Sequence, residues 1–320
     1  MTNWTKRKRL ETTIAGEPTD RPPVALWRHW PGDDQHAAAL AAAHLKWQAD
    51  YDWDLLKVGP ASSYSVVDWG VEDRWDGHIE GTRTTTRYAV TQPDGWEALR
   101  PSDPGRGMLA TQIEALRLIG QTLRGEVPFI ATIFSPLSMA KHLAGNEVLL
   151  SHMRAHPDAL HRGLTTLADS IITFIDAARA TGIAGIYYAV QHAVYPLLSR
   201  DEFAAFGRPY DRRVLDSAAD LWANMVHLHG TRVMFDLVAD YPAPLLNWHD
   251  RETGISLRDG LAGFPGAASG GVSQWTIHRD QSDDLLAEAA EARAQTGDRR
   301  LVLGTGCVIM TTTPLFNIRA

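Results

Sequence analysis

Eight short apolar runs, separated for the most part by helical patterns, constrain this sequence more than any other feature. They cover residues 23–27, 55–58, 129–134, 185–190, 225–227, 244–247, 268–272 and 301–303. Strand-length runs alternating with helices are the pattern of a parallel sheet with helices packed outside it. Eight such units in one chain predict an α/β fold, a (β/α)8 TIM barrel. The length of 320 residues suits one large barrel or two small domains. No repeat, Gly/Ser linker or low-complexity run divides the chain, so a single domain over residues 1–320 is the simpler expectation. Residues 157–181 carry Leu160, Leu164, Leu167, Ile171, Phe174 and Ile175 at helical spacing, and Gly182 stands where a helix stops.

Two segments depart from a bare barrel. Residues 64–96 are rich in Thr, Gly and aromatic side chains, with β-formers dense in residues 82–90, so a β-hairpin is expected after the second strand, over the barrel mouth. Residues 313–320 read as the start of a closing helix rather than a complete one. His36 and His44 border an alanine-rich helix segment and are read as surface residues.

Composition removes several classes. Apolar residues make up 44% and charged residues 22%, which is ordinary globular usage. A net charge of −7 gives no basic footprint for nucleic acid. The single cysteine forms no intrachain disulfide. The basic N-terminus lacks a secretory leader and no apolar stretch reaches membrane-spanning length, so a cytoplasmic protein without a membrane partner is expected.

In such barrels chemistry sits at the carboxyl ends of the strands. His227 and His229 close the fifth run, and on a strand alternate residues face one side. Cys307 follows the eighth run in Leu303-Gly304-Thr305-Gly306-Cys307. Two imidazoles and a thiolate suit Zn²⁺ in an open three-ligand geometry. The plain alternative is a small buried thiol and two histidines satisfied by loop backbone. Asp250 is expected to orient an imidazole from behind. Arg28, flanked by Trp27 and Trp30, suits a substrate carboxylate or phosphate. The other strand ends offer Asp54 and Lys57, His142, and Gln191 with His192.

The segments together resemble the uroporphyrinogen decarboxylase superfamily. The resemblance is carried by Gly16-Glu17-Pro18-Thr19-Asp20-Arg21-Pro22-Pro23, by Ser135-Pro136-Leu137-Ser138, by the His-x-His-Gly segment at His227, by Asn247-Trp248-His249-Asp250, and by Gly304-Thr305-Gly306-Cys307 with Thr313-Pro314 and Asn317. It implies a TIM barrel over nearly the whole chain. The decarboxylase's second arginine position is Gly32 here, its tyrosine matches His142 and its C-terminal histidine matches Thr305; Arg28 and Asp54 are retained. The zinc-dependent, corrinoid-linked methyltransferase branch fits better: His227 and Cys307 match its first and last zinc ligands, and His229 replaces a cysteine between them.

The resemblance therefore implies a zinc methyltransferase activating a thiol or similar acceptor. Zn²⁺ is held by His227, His229 and Cys307, and the methyl donor is a methyl-corrinoid on a carrier protein. Arg28, Asp54 and His142 are the expected catalytic groups; Arg28, Trp30, Lys57, Gln191 and His192 are expected to bind a small-molecule substrate. The alternative is a decarboxylase of a small or tetrapyrrole-like carboxylic acid, built on Arg28 and Asp54. A third alternative is a barrel that binds a corrinoid or small ligand without turnover. Pairing as a homodimer stays open.

Overall fold

The computed structural model describes residues 4–279 and 282–319. Residues 1–3 lie outside the described part, as does Ala320. Seven strands form one sheet: β1 (Leu56–Val58), β4 (Phe129–Phe134), β5 (Gly185–Val190), β6 (Met225–Leu228), β7 (Leu245–Trp248), β8 (Ala267–Val272) and β9 (Leu301–Thr305). They are hydrogen-bonded in that order, and every pairing is parallel. The remaining strands, β2 (Glu72–Arg74) and β3 (Thr84–Arg87), pair antiparallel with each other.

The first apolar run closes the ring. Leu303 donates its N–H to the Pro23 carbonyl at 2.8 Å, Ala25 donates to the Leu303 carbonyl at 3.0 Å, and on the other side Asp54 donates to the Val24 carbonyl at 2.9 Å. Pro22 and Pro23 have no N–H to give, so this segment touches both neighbours without building a regular ladder. The sheet is thus a TIM-type barrel with one sparse seam. Strands buried on both faces read as continuous apolar runs, and all six residues of β4 and of β5 are buried. Helix Pro157–Arg179 covers them with Leu160, Leu164, Leu167 and Ile175, each fully buried. Each such side chain contributes about 1.5–3 kcal/mol of burial free energy.

The amino-terminal end of the barrel is sealed by charge. Asp54 is fully buried there, pairing with Arg9 Nη1 and Arg21 Nη1, both at 2.6 Å, and accepting the Val24 N–H at 2.8 Å. It precedes β1, on the face opposite the strand carboxyl ends. The expectation of a catalytic Asp54 is corrected accordingly: its carboxylate is consumed in holding the N-terminal helix Lys6–Ile14 and the Pro23 segment to the barrel.

The hairpin follows β1 and reaches the mouth, where the Ile79 carbonyl accepts the Thr311 N–H at 2.8 Å. Residues 315–319 form turns, and no helix begins over residues 313–319. Asn317 Nδ2 ties them down by donating to the Ile277 carbonyl at 2.9 Å. His36 is exposed as expected, whereas His44 is buried, with Nδ1 on the Leu40 carbonyl and Nε2 accepting the Gly59 N–H, both at 2.9 Å. A histidine on an alanine-rich helix turns inward here because the loop after β1 offers it an orphan N–H.

Behind β5, Asp211 is fully buried and receives hydrogen bonds from Tyr188 and Tyr241 at 2.7 and 2.8 Å. Burial pushes its carboxyl up to about 7. A raised carboxyl pKa means that the folded state holds the proton more tightly than the unfolded chain. The stability this contributes is complete below the unfolded pKa near 3.8 and is lost as pH rises through about 7. Asp211→Asn, which fixes the neutral form, should therefore gain stability relative to the native chain between pH 5 and 8 in urea unfolding. Parallel pH dependence of the two proteins would refute this.

Candidate metal centre

Four donor side chains converge at the mouth from three neighbouring parts of the barrel. His227 lies on β6 and His229 one residue beyond it; His249 follows β7, and Cys307 follows β9. His227 Nε2 and His249 Nε2 each stand 3.4 Å from His229 Nδ1, and Cys307 Sγ stands 3.9 Å from His227 Nε2 and 3.8 Å from His229 Nδ1. All four donor atoms lie within 4.8 Å of one another. Tetrahedral zinc, with bonds near 2.05 Å to nitrogen and 2.3 Å to sulfur, separates its ligands by about 3.3 Å between nitrogens and about 3.6 Å from nitrogen to sulfur. The observed edges follow that pattern, slightly expanded. Hydrogen bonding does not account for the group, because His229 Nδ1 faces three donor atoms and a ring nitrogen holds one proton or one lone pair.

The fold also sets the tautomer of His227. Asn247 spends its Nδ2 on the carbonyls of Ser269 and Thr305, at 2.8 and 3.0 Å, so its Oδ1 faces the imidazole as an acceptor. His227 Nδ1–H donates to that oxygen at 2.6 Å, which leaves Nε2 with a lone pair directed at the cluster. Tyr187 donates to the same oxygen at 3.2 Å and stacks on the imidazole with centroids 5.1 Å apart. Gly306 permits the close approach of β9 to β7: a Cβ there would lie 2.6 Å from the Trp248 carbonyl oxygen.

Electrostatics prepares the group for a cation. Burial, with the neighbouring imidazoles, holds His227 well below its usual range and lowers His229 to about 4, while burial lowers His249 to about 4. All three are neutral at pH 7 and keep a lone pair for a metal. Burial pushes the Cys307 thiol up to about 12, so without a cation it is a protonated, unreactive thiol.

Other expected residues fall in three places. Lys57 and Gln191 line the cleft beside the cluster, together with His29, Glu80, Thr82 and Tyr187. His142 and His192 are buried behind that wall: His142 packs edge-on against Phe134, and His192 Nε2 contacts Asn146 Oδ1 at 3.2 Å. Arg28 and Trp30 are absent from the cleft lining; Arg28 donates to the Thr311 carbonyl at 2.6 Å and lies 4.7 Å over the Trp30 ring, which itself packs on His44 and Trp47. Asp250 turns away from the histidines to accept the Gly271 N–H at 3.2 Å, so the partner orienting His227 is Asn247 and the acid beside His249 is Glu252, 3.8 Å from its Nδ1. Glu80 carries no sequence signal beyond membership of a segment expected over the mouth.

The sequence profile of the uroporphyrinogen decarboxylase (URO-D) family matches residues 79–320. The chain belongs to that family. The Methylcobamide:CoM methyltransferase MtbA of Methanosarcina acetivorans is 18% identical over an alignment spanning 100% of this chain and 97% of that protein. Its namesake from Methanosarcina mazei is 20% identical, covering 72% of this chain and 71% of its own. A solved methyltransferase from Methanosarcina mazei has the same fold, with a TM-score of 0.88 at 21% identity over 99% of this chain and 97% of its own. Within the URO-D family this chain therefore stands with the methyltransferase branch rather than the haem-pathway decarboxylase. Among the described residues, no helix is long and apolar enough to cross a membrane.

Proposed function

We propose that this chain is a zinc-dependent methyltransferase that passes a methyl group from a methyl-corrinoid, presented by a carrier protein, to a thiol. The observation that carries this reading is the convergence of His227, His229, His249 and Cys307 at zinc-like spacing, with His227, His229 and Cys307 lining a cleft. These four residues would hold the ion. Bound there, zinc supplies the Lewis acidity that keeps an acceptor thiol ionised near neutral pH. The acceptor sulfur then forms a bond to the methyl carbon as the bond from that carbon to its carrier breaks, and the electron pair of the broken bond stays with the carrier. Tyr187 and Asn247 fix the imidazole that faces the ion. The set differs from the expected three-ligand site, because His249 would supply a fourth donor atom. The decarboxylase alternative is less well supported, since Asp54 is paired with Arg9 and Arg21 at the far end and Arg28 is engaged by the Thr311 carbonyl.

Elemental analysis of untagged protein tests the reading; the expected value is about one zinc per chain. Binding should also have a defined proton stoichiometry. With the three imidazoles already neutral and one thiol protonated, zinc uptake between pH 6 and 9 should release about one proton per ion and tighten as pH rises. Calorimetry in buffers of different ionisation enthalpy measures this. Release of no proton, or of two, would contradict the ligand set.

A further inference from the structure

The cleft wall carries two opposite charges that the fold leaves uncompensated. Lys57, from β1, is 3% exposed, and its Nζ lies 4.5 Å from the centroid of the Tyr187 ring. No carboxylate among the described residues pairs with it, and it lines the cleft together with Cys307. Burying an ammonium without a counter-ion is unfavourable. A fold retains such a group where a ligand completes it.

Glu80 approaches the same cleft from the hairpin. Thr311 grips that loop twice at the Ile79 carbonyl, through its N–H at 2.8 Å and its hydroxyl at 2.9 Å. Gly81, at φ +79°, lets the loop descend: a Cβ there would lie 2.7 Å from the His29 Cβ and 2.9 Å from the Thr311 Cγ2. The half-buried Glu80 carboxylate has no ion-pair partner among the described residues, and the charges acting on it are those of His78 and Glu252. Lys57 and Glu80 form no ion pair with each other, yet both line the cleft that holds His227, His229 and Cys307. Gln191 adds a buried Oε1 with no donor.

We propose that the acceptor is a small zwitterionic amino acid carrying a side-chain thiol, of the homocysteine type, with its sulfur at the metal, its carboxylate on Lys57 and its ammonium on Glu80 and Gln191 Oε1. This rests on the zinc methyltransferase reading above. A mercapto-acid without an amine satisfies Lys57 and leaves Glu80 facing a neutral methylene. An aminothiol does the converse. A polycarboxylate meets repulsion from Glu80.

Calorimetric binding to the zinc-loaded protein, without methyl donor, tests this with homocysteine, 4-mercaptobutyrate and 3-aminopropane-1-thiol. Homocysteine should bind roughly tenfold or more tightly than either analogue, as one lost charged hydrogen bond implies. Glu80→Gln should bring homocysteine and 4-mercaptobutyrate together while leaving the affinity for the latter intact. Lys57→Met should bring homocysteine and the aminothiol together, with its zinc content and thermal unfolding confirming the fold. Equal binding of all three thiols by the native protein overturns this assignment and leaves the methyltransferase reading standing. Failure of the zinc-loaded protein to bind any thiol overturns that reading and this one with it.

Discussion

Cys307→Ser protein is expected to fold normally and to lose zinc affinity by more than about a hundredfold, which elemental analysis after dialysis against a weak chelator would show as metal-free protein. The serine is nearly isosteric in a site that is 7% exposed, so packing around β9 survives. What disappears is the one donor that becomes an anion on binding. Three neutral imidazoles remain, and a serine hydroxyl is far harder to ionise than a thiol. Loss of groups that merely orient a ligand typically costs 10–100-fold in metal affinity, and removal of a ligand costs more. A variant that still carries one zinc per chain after dialysis would remove Cys307 from the ligand set.

Asp54→Ala should have an equally large effect of another kind. Its carboxylate joins Arg9, whose side chain is 8% exposed, to Arg21 and to the Val24 N–H. Deleting it leaves Arg9 only its pair with Asp20, at 2.7 and 2.8 Å, and takes the acceptor from the buried Arg9 Nη1 and the Val24 N–H, for which a cost of about 1–3 kcal/mol is expected. The variant should unfold at markedly lower urea concentration, and below that point it should keep one zinc per chain and bind thiols as the native protein does. Unchanged stability with lost thiol binding would return Asp54 to the site.

These two residues also show what could be read in the sequence. Cys307, His227 and His229 were legible because a strand repeats every second residue and a parallel barrel gathers its carboxyl ends on one face. The structure brings these three together. The sequence does not reveal the place of Asp54, because an acid beside an apolar run carries no mark of which end it occupies until the strand's direction and start are known; it stands two residues before β1. Arg28 looked like an anchor from its neighbours Trp27 and Trp30, but the irregular segment after Pro23 leaves it outside the cleft, spent on a backbone carbonyl. His249 was visible as a strand-end residue, yet nothing in Asn247-Trp248-His249-Asp250 tells which side chain turns inward. Glu80 was beyond reach, since its place depends on how a hairpin folds back over the barrel. The eight runs themselves were recoverable because burial on both faces leaves long apolar signatures; the first escaped regular strand geometry through its two prolines.

The donors of the cluster are distant in sequence, with 80 residues separating His227 from Cys307. An ion seated between them is a cross-link as well as a reagent. It closes a loop through β6, β7, β8 and β9, and in the chain-entropy picture a link of that span restricts the unfolded chain by roughly 4–5 kcal/mol. Loading the centre would fasten one half of the barrel into a ring while the proline-rich seam stays held by a few hydrogen bonds, so the protein would start to open at residues 23–25, away from its reactive group.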